Sequence, residues 1–190
     1  MLCEVYDNIF PKQFIIDLDN KIKNIPLETS NISGAKDTRD RGIVGNHRLF
    51  GLCVFYRLGI NRVNKLHEES EIFFDALEMI ENSLGRKYYV EGIHINLQHS
   101  GCDGSPHIDS SSQYEKTIMI MSTCYWEKEW GGQFQLTNED GTNIIEEHEY
   151  VPGRVLVIPS SHIHRGLGPK INYPYIYRTT VVFRTKPLTF

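Results

Sequence analysis

The stretch RVLVIPSSHIHRGLGPKINYPYIYRTTVVFRT, residues 154–185, decides the fold. It begins and ends in runs rich in Val, Ile, Thr, Tyr and Phe. Between them lie Gly, Pro and Asn, the residues that punctuate strands. Working outward toward the N-terminus, TNIIEEHEY (142–150), GGQFQLT (131–137), TIMIMSTCYW (117–126) and YYVEGIHINLQ (88–98) have the same character. So many short strands in about the last hundred residues predict a sandwich or barrel, with a jelly-roll as the natural candidate. Gly131 and Gly132 allow a tight turn between two of the strands, and Trp126 and Trp130 beside them read as a packed aromatic corner.

The N-terminal part reads differently. In PKQFIIDLDNKIKNI (11–25), Phe14, Ile15, Leu18, Ile22 and Ile25 recur at helical spacing behind Pro11. A second helix is expected over 65–84, with Leu66, Ile72, Phe73, Leu77, Ile80 and Leu84 on one stripe and Gly85 as its stop. Both helices should pack on one outer face of the β structure. Residues 30–48, polar and glycine-punctuated, read as a long functional loop. The expected organisation is a single domain over 1–190, with helical support over about 1–86 and a β core over about 87–186.

Bulk properties narrow the class. The chain has 190 residues, 40% apolar and 23% charged, with a net charge of −4. That is an ordinary globular composition, and the acidic balance argues against a protein that clamps long stretches of nucleic acid. MLCEVYDNIF has no basic region followed by a long apolar run, and no segment reaches the length of a membrane span. Cys3, Cys53, Cys102 and Cys124 are scattered, as expected for reduced thiols of a cytoplasmic protein.

The chemistry-bearing segment is DGSPHIDSSS, which contains His107 and Asp109. On an extended backbone, residues two apart share a face, so this imidazole and this carboxylate can converge on one ion. Alone the tripeptide is weak. With eight histidines and 24 acidic residues, H-x-[DE] arises by chance about once, and His67-Glu68-Glu69 on the expected helix is another copy. A third ligand is offered downstream by His162 or His164, and parity alone does not choose between them. Two histidines and one carboxylate with open positions opposite form the facial triad of non-haem Fe(II) sites.

Farther on, Arg178 sits inside a β-run, with Thr180 on the same face. An arginine there is costly to bury unless an anion answers it. A guanidinium with a neighbouring hydroxyl matches a carboxylate in a two-pronged fashion.

The order of these pieces is PHID (106–109), EWGGQFQL (129–136), PGRVLVIPSSHIH (152–164) and RTT (178–180). It resembles the prolyl 4-hydroxylase-like branch of the 2-oxoglutarate/Fe(II)-dependent dioxygenases, over about residues 90–185. The resemblance implies a double-stranded β-helix, a distorted jelly-roll that is mainly β with flanking helices. It also implies an enzyme that uses Fe(II), 2-oxoglutarate and O2, with ascorbate as a candidate reductant, to hydroxylate a C–H bond of a peptide (a peptidyl proline among the candidates) or a small molecule. The family spacing selects His164 as the third iron ligand and leaves His162 as a group behind the ligands, a substrate-side group or simply a strand-end histidine. Arg178, with Thr180 or Thr117, would meet the far carboxylate of 2-oxoglutarate. Gln98 stands where the family commonly has a tyrosine; either its amide takes over that cosubstrate contact or the contact is absent. Ser122-Thr123-Cys124-Tyr125-Trp126 replaces the Y-x-N expected before the glycine pair, a departure at the substrate pocket. In the 30–48 loop, Arg39, Arg41, His47 and Arg48 are candidate substrate contacts.

Two rivals share the fold. A cupin-like metal protein with zinc or manganese, acting as a hydrolase or isomerase, would need no Arg178. A non-catalytic jelly-roll binding module would use His107 and Asp109 only to shape a turn. A nucleic-acid demethylase of the same superfamily fits the acidic balance less well.

Overall fold

A computed structural model of the chain describes residues 2–30, 49–57, 63–66, 68 and 70–188. Among these, two antiparallel sheets face each other. The larger contains β1 (Glu4–Tyr6), β2 (Glu28–Ser30), β3 (Leu49–Arg57), β4 (Val63–Leu66), β5 (Tyr89–His99) and β6 (Lys116–Met121). The smaller is built from β7 (Phe134–Thr137), β8 (Ile144–His148) and β10 (His164–Gly166), while β9 (Val155–Pro159) and β11 (Tyr177–Lys186) complete the larger. The strand orders are β1-β9-β6-β11-β5-β3-β2, with β4 on β3, and β10-β7-β8. The central strands β9-β6-β11-β5 lie opposite β8-β7-β10, and an isolated bridge between His107 and His164 extends the smaller sheet. This is the jelly-roll that the C-terminal run of strands predicts, in the double-stranded β-helix form that the family resemblance implies.

Of the four central strands, β6, β9 and β11 are buried on both faces and β5 is half-buried, and along them side chains alternate between an outward and an inward layer. Ile93, Ile95, Ile118, Ile120, Val155, Val157, Val181 and Phe183 point outward into one core cluster. Their neighbours Met119, Leu156, Ile158 and Val182 point inward, where Phe134, Leu136 and Tyr150 meet them. The inward face also carries every polar residue of interest.

The outward layer is covered by helices. Helix α1 (Lys12–Lys23) begins after Pro11, whose fixed φ suits a helix start, and buries Ile15, Leu18 and Ile22. Helix α2 (Glu71–Leu84) buries Phe73, Ala76, Leu77 and Ile80 and ends at Gly85, which adopts φ +61°. It starts later than the periodicity from residue 65 suggests. Leu66 closes β4, its backbone paired opposite Phe55 of β3, and Glu68 lies in a turn. A backbone already committed to a sheet ladder cannot also open a helix. His67 and Glu69 lie outside the described residues.

The N-terminal part is more than helical support, because it contributes β1 to β4 to the larger sheet. In β3 (LFGLCVFYR) the register against β5 shifts between Cys53 and Phe55. Val54 and Phe55 are consecutive and both buried. That bulge breaks the two-residue alternation by which a strand is recognised in sequence.

Candidate metal and anion site

β5 ends at His99, and the chain turns through Gly101, at φ +73°, with the Cys102 amide donating to the His99 carbonyl. It then runs extended beside β10. His107 and His164 exchange backbone hydrogen bonds, N to O at 3.0 and 2.9 Å, which sets their rings side by side with centroids 4.6 Å apart. Two residues on, the Asp109 amide donates to the Ser160 carbonyl at 2.9 Å and holds its carboxylate on the same face.

His107, Asp109 and His164 each offer a ligand atom, and these atoms all lie within 4.8 Å of one another. His107 Nδ1 is 2.8 Å from the Ser105 carbonyl, and His164 Nδ1 is 2.8 Å from the His162 carbonyl. A carbonyl can only accept, so each Nδ1 carries the proton and each Nε2 presents a lone pair. These Nε2 atoms stand 3.9 and 3.5 Å from the Asp109 oxygens. Backbone carbonyls that fix the ring tautomer from behind are what metal-binding histidines require. His162 supplies such a carbonyl, but its own ring points elsewhere. Its Nε2 is buried without a hydrogen-bond partner among the described residues.

Asp109 is oriented from several sides. Thr117 Oγ1 donates to Oδ2 at 2.7 Å and meets Ser160 Oγ at 2.9 Å, while Arg184 Nη2 donates to Oδ1 at 3.1 Å. Burial by itself would raise the carboxyl's pKa. The adjacent His164 and His107 and the Arg184 guanidinium outweigh it and hold the group well below the usual carboxylate range. Thr117, expected beside a cosubstrate carboxylate, lines the same pocket as Arg178 and Thr180 and bonds to the candidate metal ligand.

One pocket joins this triad to Arg178, and its wall includes His94, Asn96, Gln98, Thr180 and Arg184. Arg178 is only 2% exposed. Its Nε donates to the Gly132 carbonyl at 3.0 Å and its Nη1 to Gln98 Oε1 at 2.8 Å, with the guanidinium carbon 5.2 Å from the Tyr150 ring centre. Nη2 is buried with no hydrogen-bond partner among the described residues. Burial lowers the pKa to about 10, so the group is a cation at neutral pH, and among the described residues no carboxylate answers it. An orphaned buried donor of this kind calls for a ligand.

Tyr150 underlies this seat and carries no motif in the sequence. Its hydroxyl donates to the Thr179 carbonyl at 2.6 Å and accepts from the Thr123 amide at 2.8 Å. We expect Tyr150→Phe to cost about 1–2 kcal/mol in denaturant unfolding, because it takes the partner from the half-buried Thr123 amide and one of two donors from the Thr179 carbonyl, which keeps the Ser122 amide, while the ring stays beneath Arg178. A cost near zero would mean that those groups find other partners.

The glycine pair serves the same seat. Gly131 and Gly132 have φ of +83° and +77°, and Trp126 Nε1 donates to the Gly131 carbonyl at 3.0 Å. Trp126 also packs on Tyr150 and Trp130, with ring centres 4.4 and 5.4 Å apart, as the expected aromatic corner. A second, polar cleft lined by Glu91, Ser110, Glu115, Ser160 and Lys186 shares Asp109 and Arg184 with the main pocket. Arg39, Arg41, His47 and Arg48 lie outside the described residues.

His94, Asn96 and Arg184 escaped the reading of the sequence, although parity could have found them. His94 and Asn96 share a face with Gln98, and Arg184 shares one with Arg178.

No protein-family model and no curated protein matches the chain. Solved structures do. An oxidoreductase of the 2OG-Fe(II) oxygenase family from Burkholderia pseudomallei superposes with a TM-score of 0.67 at 16% identity, over 97% of this chain and 85% of that one. A prolyl-4-hydroxylase from Pseudomonas putida gives 0.60 at 14% identity, over 98% and 93%. HygX from Streptomyces hygroscopicus, solved with nickel and 2-oxoglutarate bound, gives 0.63 at 9% identity, over 100% and 84%. At these identities the likeness establishes the fold.

Proposed function

We propose that this chain is a 2-oxoglutarate- and O2-dependent Fe(II) dioxygenase that hydroxylates a C–H bond, with His107, Asp109 and His164 as the iron ligands. One observation carries the reading. A buried guanidinium with an orphaned Nη2 lines the same pocket as the His-Asp-His group. A cation and a metal triad in one pocket suit a molecule that chelates a metal at one end and carries a carboxylate at the other. The hydrolase and binding-module readings give the uncompensated Arg178 nothing to do.

The donor set fits the metal: two Nε2 lone pairs and a carboxylate bind a divalent first-row ion through nitrogen and oxygen. Bound Fe(II), with 2-oxoglutarate and O2, supplies oxidative chemistry in which cosubstrate decarboxylation accompanies hydroxylation; ascorbate is a plausible reductant for keeping iron ferrous. The chain's own residues do the rest. The Ser105 and His162 carbonyls hold the imidazoles, while Thr117 and Arg184 hold the Asp109 carboxylate. Met119, Leu156 and Val182 present apolar surface that keeps water from the reacting centre. Thr180 lines the pocket two residues from Arg178 and supports the cosubstrate there.

The substrate side is broader. The polar cleft beside Asp109 offers a route for a peptide or hydrophilic small molecule. The sequence carries no basic stripe for nucleic acid, and no helix among the described residues is long and apolar enough to cross a membrane. We assign the chain to a single catalytic domain acting in the cytoplasm.

The test is anaerobic addition of Fe(II) and then 2-oxoglutarate, followed by visible absorption. A weak charge-transfer band should appear only with both present. Arg178→Ala should weaken 2-oxoglutarate binding about a hundredfold while leaving Fe(II) affinity within about twofold, since it removes a buried charge from the anion alone. No band in the native protein, or equal loss of both ligands in the variant, would refute the assignment.

A further inference from the structure

Arg178 is held more completely than an anion anchor needs to be. It lies opposite Gln98 in the β11–β5 pairing. The Gln98 amide is saturated: Nε2 donates to the Cys102 and Gly166 carbonyls, both at 2.9 Å, and Oε1 accepts from Arg178 Nη1 at 2.8 Å. Both amide hydrogens are therefore spent, and Gln98 has no donor left for a cosubstrate. With Nε held by the Gly132 carbonyl and Nη1 by Gln98, the guanidinium plane is pinned at two nitrogens, and Nη2 has no partner among the described residues. Two of the five N–H donors are thus spent, and a carboxylate would meet those that remain, both on Nη2 and one on Nη1, in a fixed plane. Gly166 makes the seat possible. A Cβ at that position would stand 3.0 Å from Nη1, 3.1 Å from Nη2 and 3.1 Å from Gln98 Oε1.

We infer that Gln98 and Gly166 are positioning residues that fix the Arg178 guanidinium so that the site selects the length of its 2-oxo dicarboxylate. The inference rests on the oxygenase reading and deepens it. A free arginine swings through several rotamers and follows acids of different lengths. A guanidinium tied through a saturated amide and a carbonyl cannot, so a diacid one carbon longer or shorter misses either the metal or Nη2.

The experiment is anaerobic titration of the Fe(II)-loaded protein with oxaloacetate, 2-oxoglutarate and 2-oxoadipate, read by calorimetry and by the visible band, with Fe(II) affinity measured separately. The native protein should prefer the five-carbon acid by about tenfold or more over either homologue. Gln98→Ala should weaken 2-oxoglutarate binding about tenfold and narrow the preference to about threefold, with Fe(II) affinity unchanged. Gly166→Ala, which displaces the guanidinium by contact, should do the same. Gln98→Glu keeps an acceptor for Nη1 but sets a competing carboxylate beside Arg178, and it should depress all three acids together. Thermal melts establish that each variant is folded. A folded Gln98→Ala that keeps the native preference overturns the inference, as does Gln98→Glu with native 2-oxoglutarate affinity. If none of the acids binds the native protein, the oxygenase reading falls first and takes this inference with it.

Discussion

His164→Ala is expected to lower divalent metal affinity by more than about a thousandfold, whereas His162→Ala leaves it within a few-fold. Losing a group that merely orients a ligand costs metal sites 10–100-fold, and losing the ligand itself costs more. The two histidines are near neighbours in the chain, yet the fold treats them oppositely. His164 opens β10, pairs with His107 across the bridge and turns Nε2 toward Asp109. His162 lies in the preceding turn and contributes its backbone carbonyl, which alanine retains. Metal titration by calorimetry on both variants decides the matter. If His162→Ala alone abolished binding, the triad would be wrongly composed.

Gly132→Ala is expected to destabilise the fold by about 3 kcal/mol or more in urea unfolding. Two costs add: a backbone at φ +77°, which a side chain resists, and a Cβ that would lie 2.6 Å from Trp126 Cζ2. Trp126 cannot retreat freely, because its Nε1 donates to the Gly131 carbonyl and its ring lies against Tyr150. The Gly132 carbonyl also receives Arg178 Nε, so the variant should lose 2-oxoglutarate affinity along with stability. A variant as stable as the native protein would show that the turn relaxes without strain.

Most C-terminal strands were legible because each carries its own signal of β-branched runs with turn residues between them. Helix α1 was legible for the same local reason. Strand β10, with no such run, was hidden, and His164 read as the end of the preceding apolar strand. What stayed hidden depends on pairing with distant segments. The bulge in β3 disguises a strand whose place is fixed only by β5, and the start of α2 is set by β4 lying on β3. In the site, His107, Asp109, His164 and Arg178 could be named from residue type and order. Their supports could not. Tyr150 beneath the guanidinium and Arg184 on Asp109 come from strand neighbours and loops remote in the chain. Gln98 was noticed for the residue it replaces, but the saturation of its amide by two carbonyls and a guanidinium is a property of three segments meeting.

In β11, the odd-numbered Val181 and Phe183 anchor the helices, while the even-numbered Arg178, Thr180, Val182 and Arg184 face the pocket. Scaffold and chemistry are thus interleaved on one ribbon, and they can drift separately as long as spacing is kept. Point substitutions at odd positions should tune thermal tolerance and leave ligand preference alone. A one-residue deletion in mid-strand would send every later side chain to the opposite side, burying Arg184 among the helices and turning Phe183 toward the metal. Length changes in this protein are therefore confined to its turns.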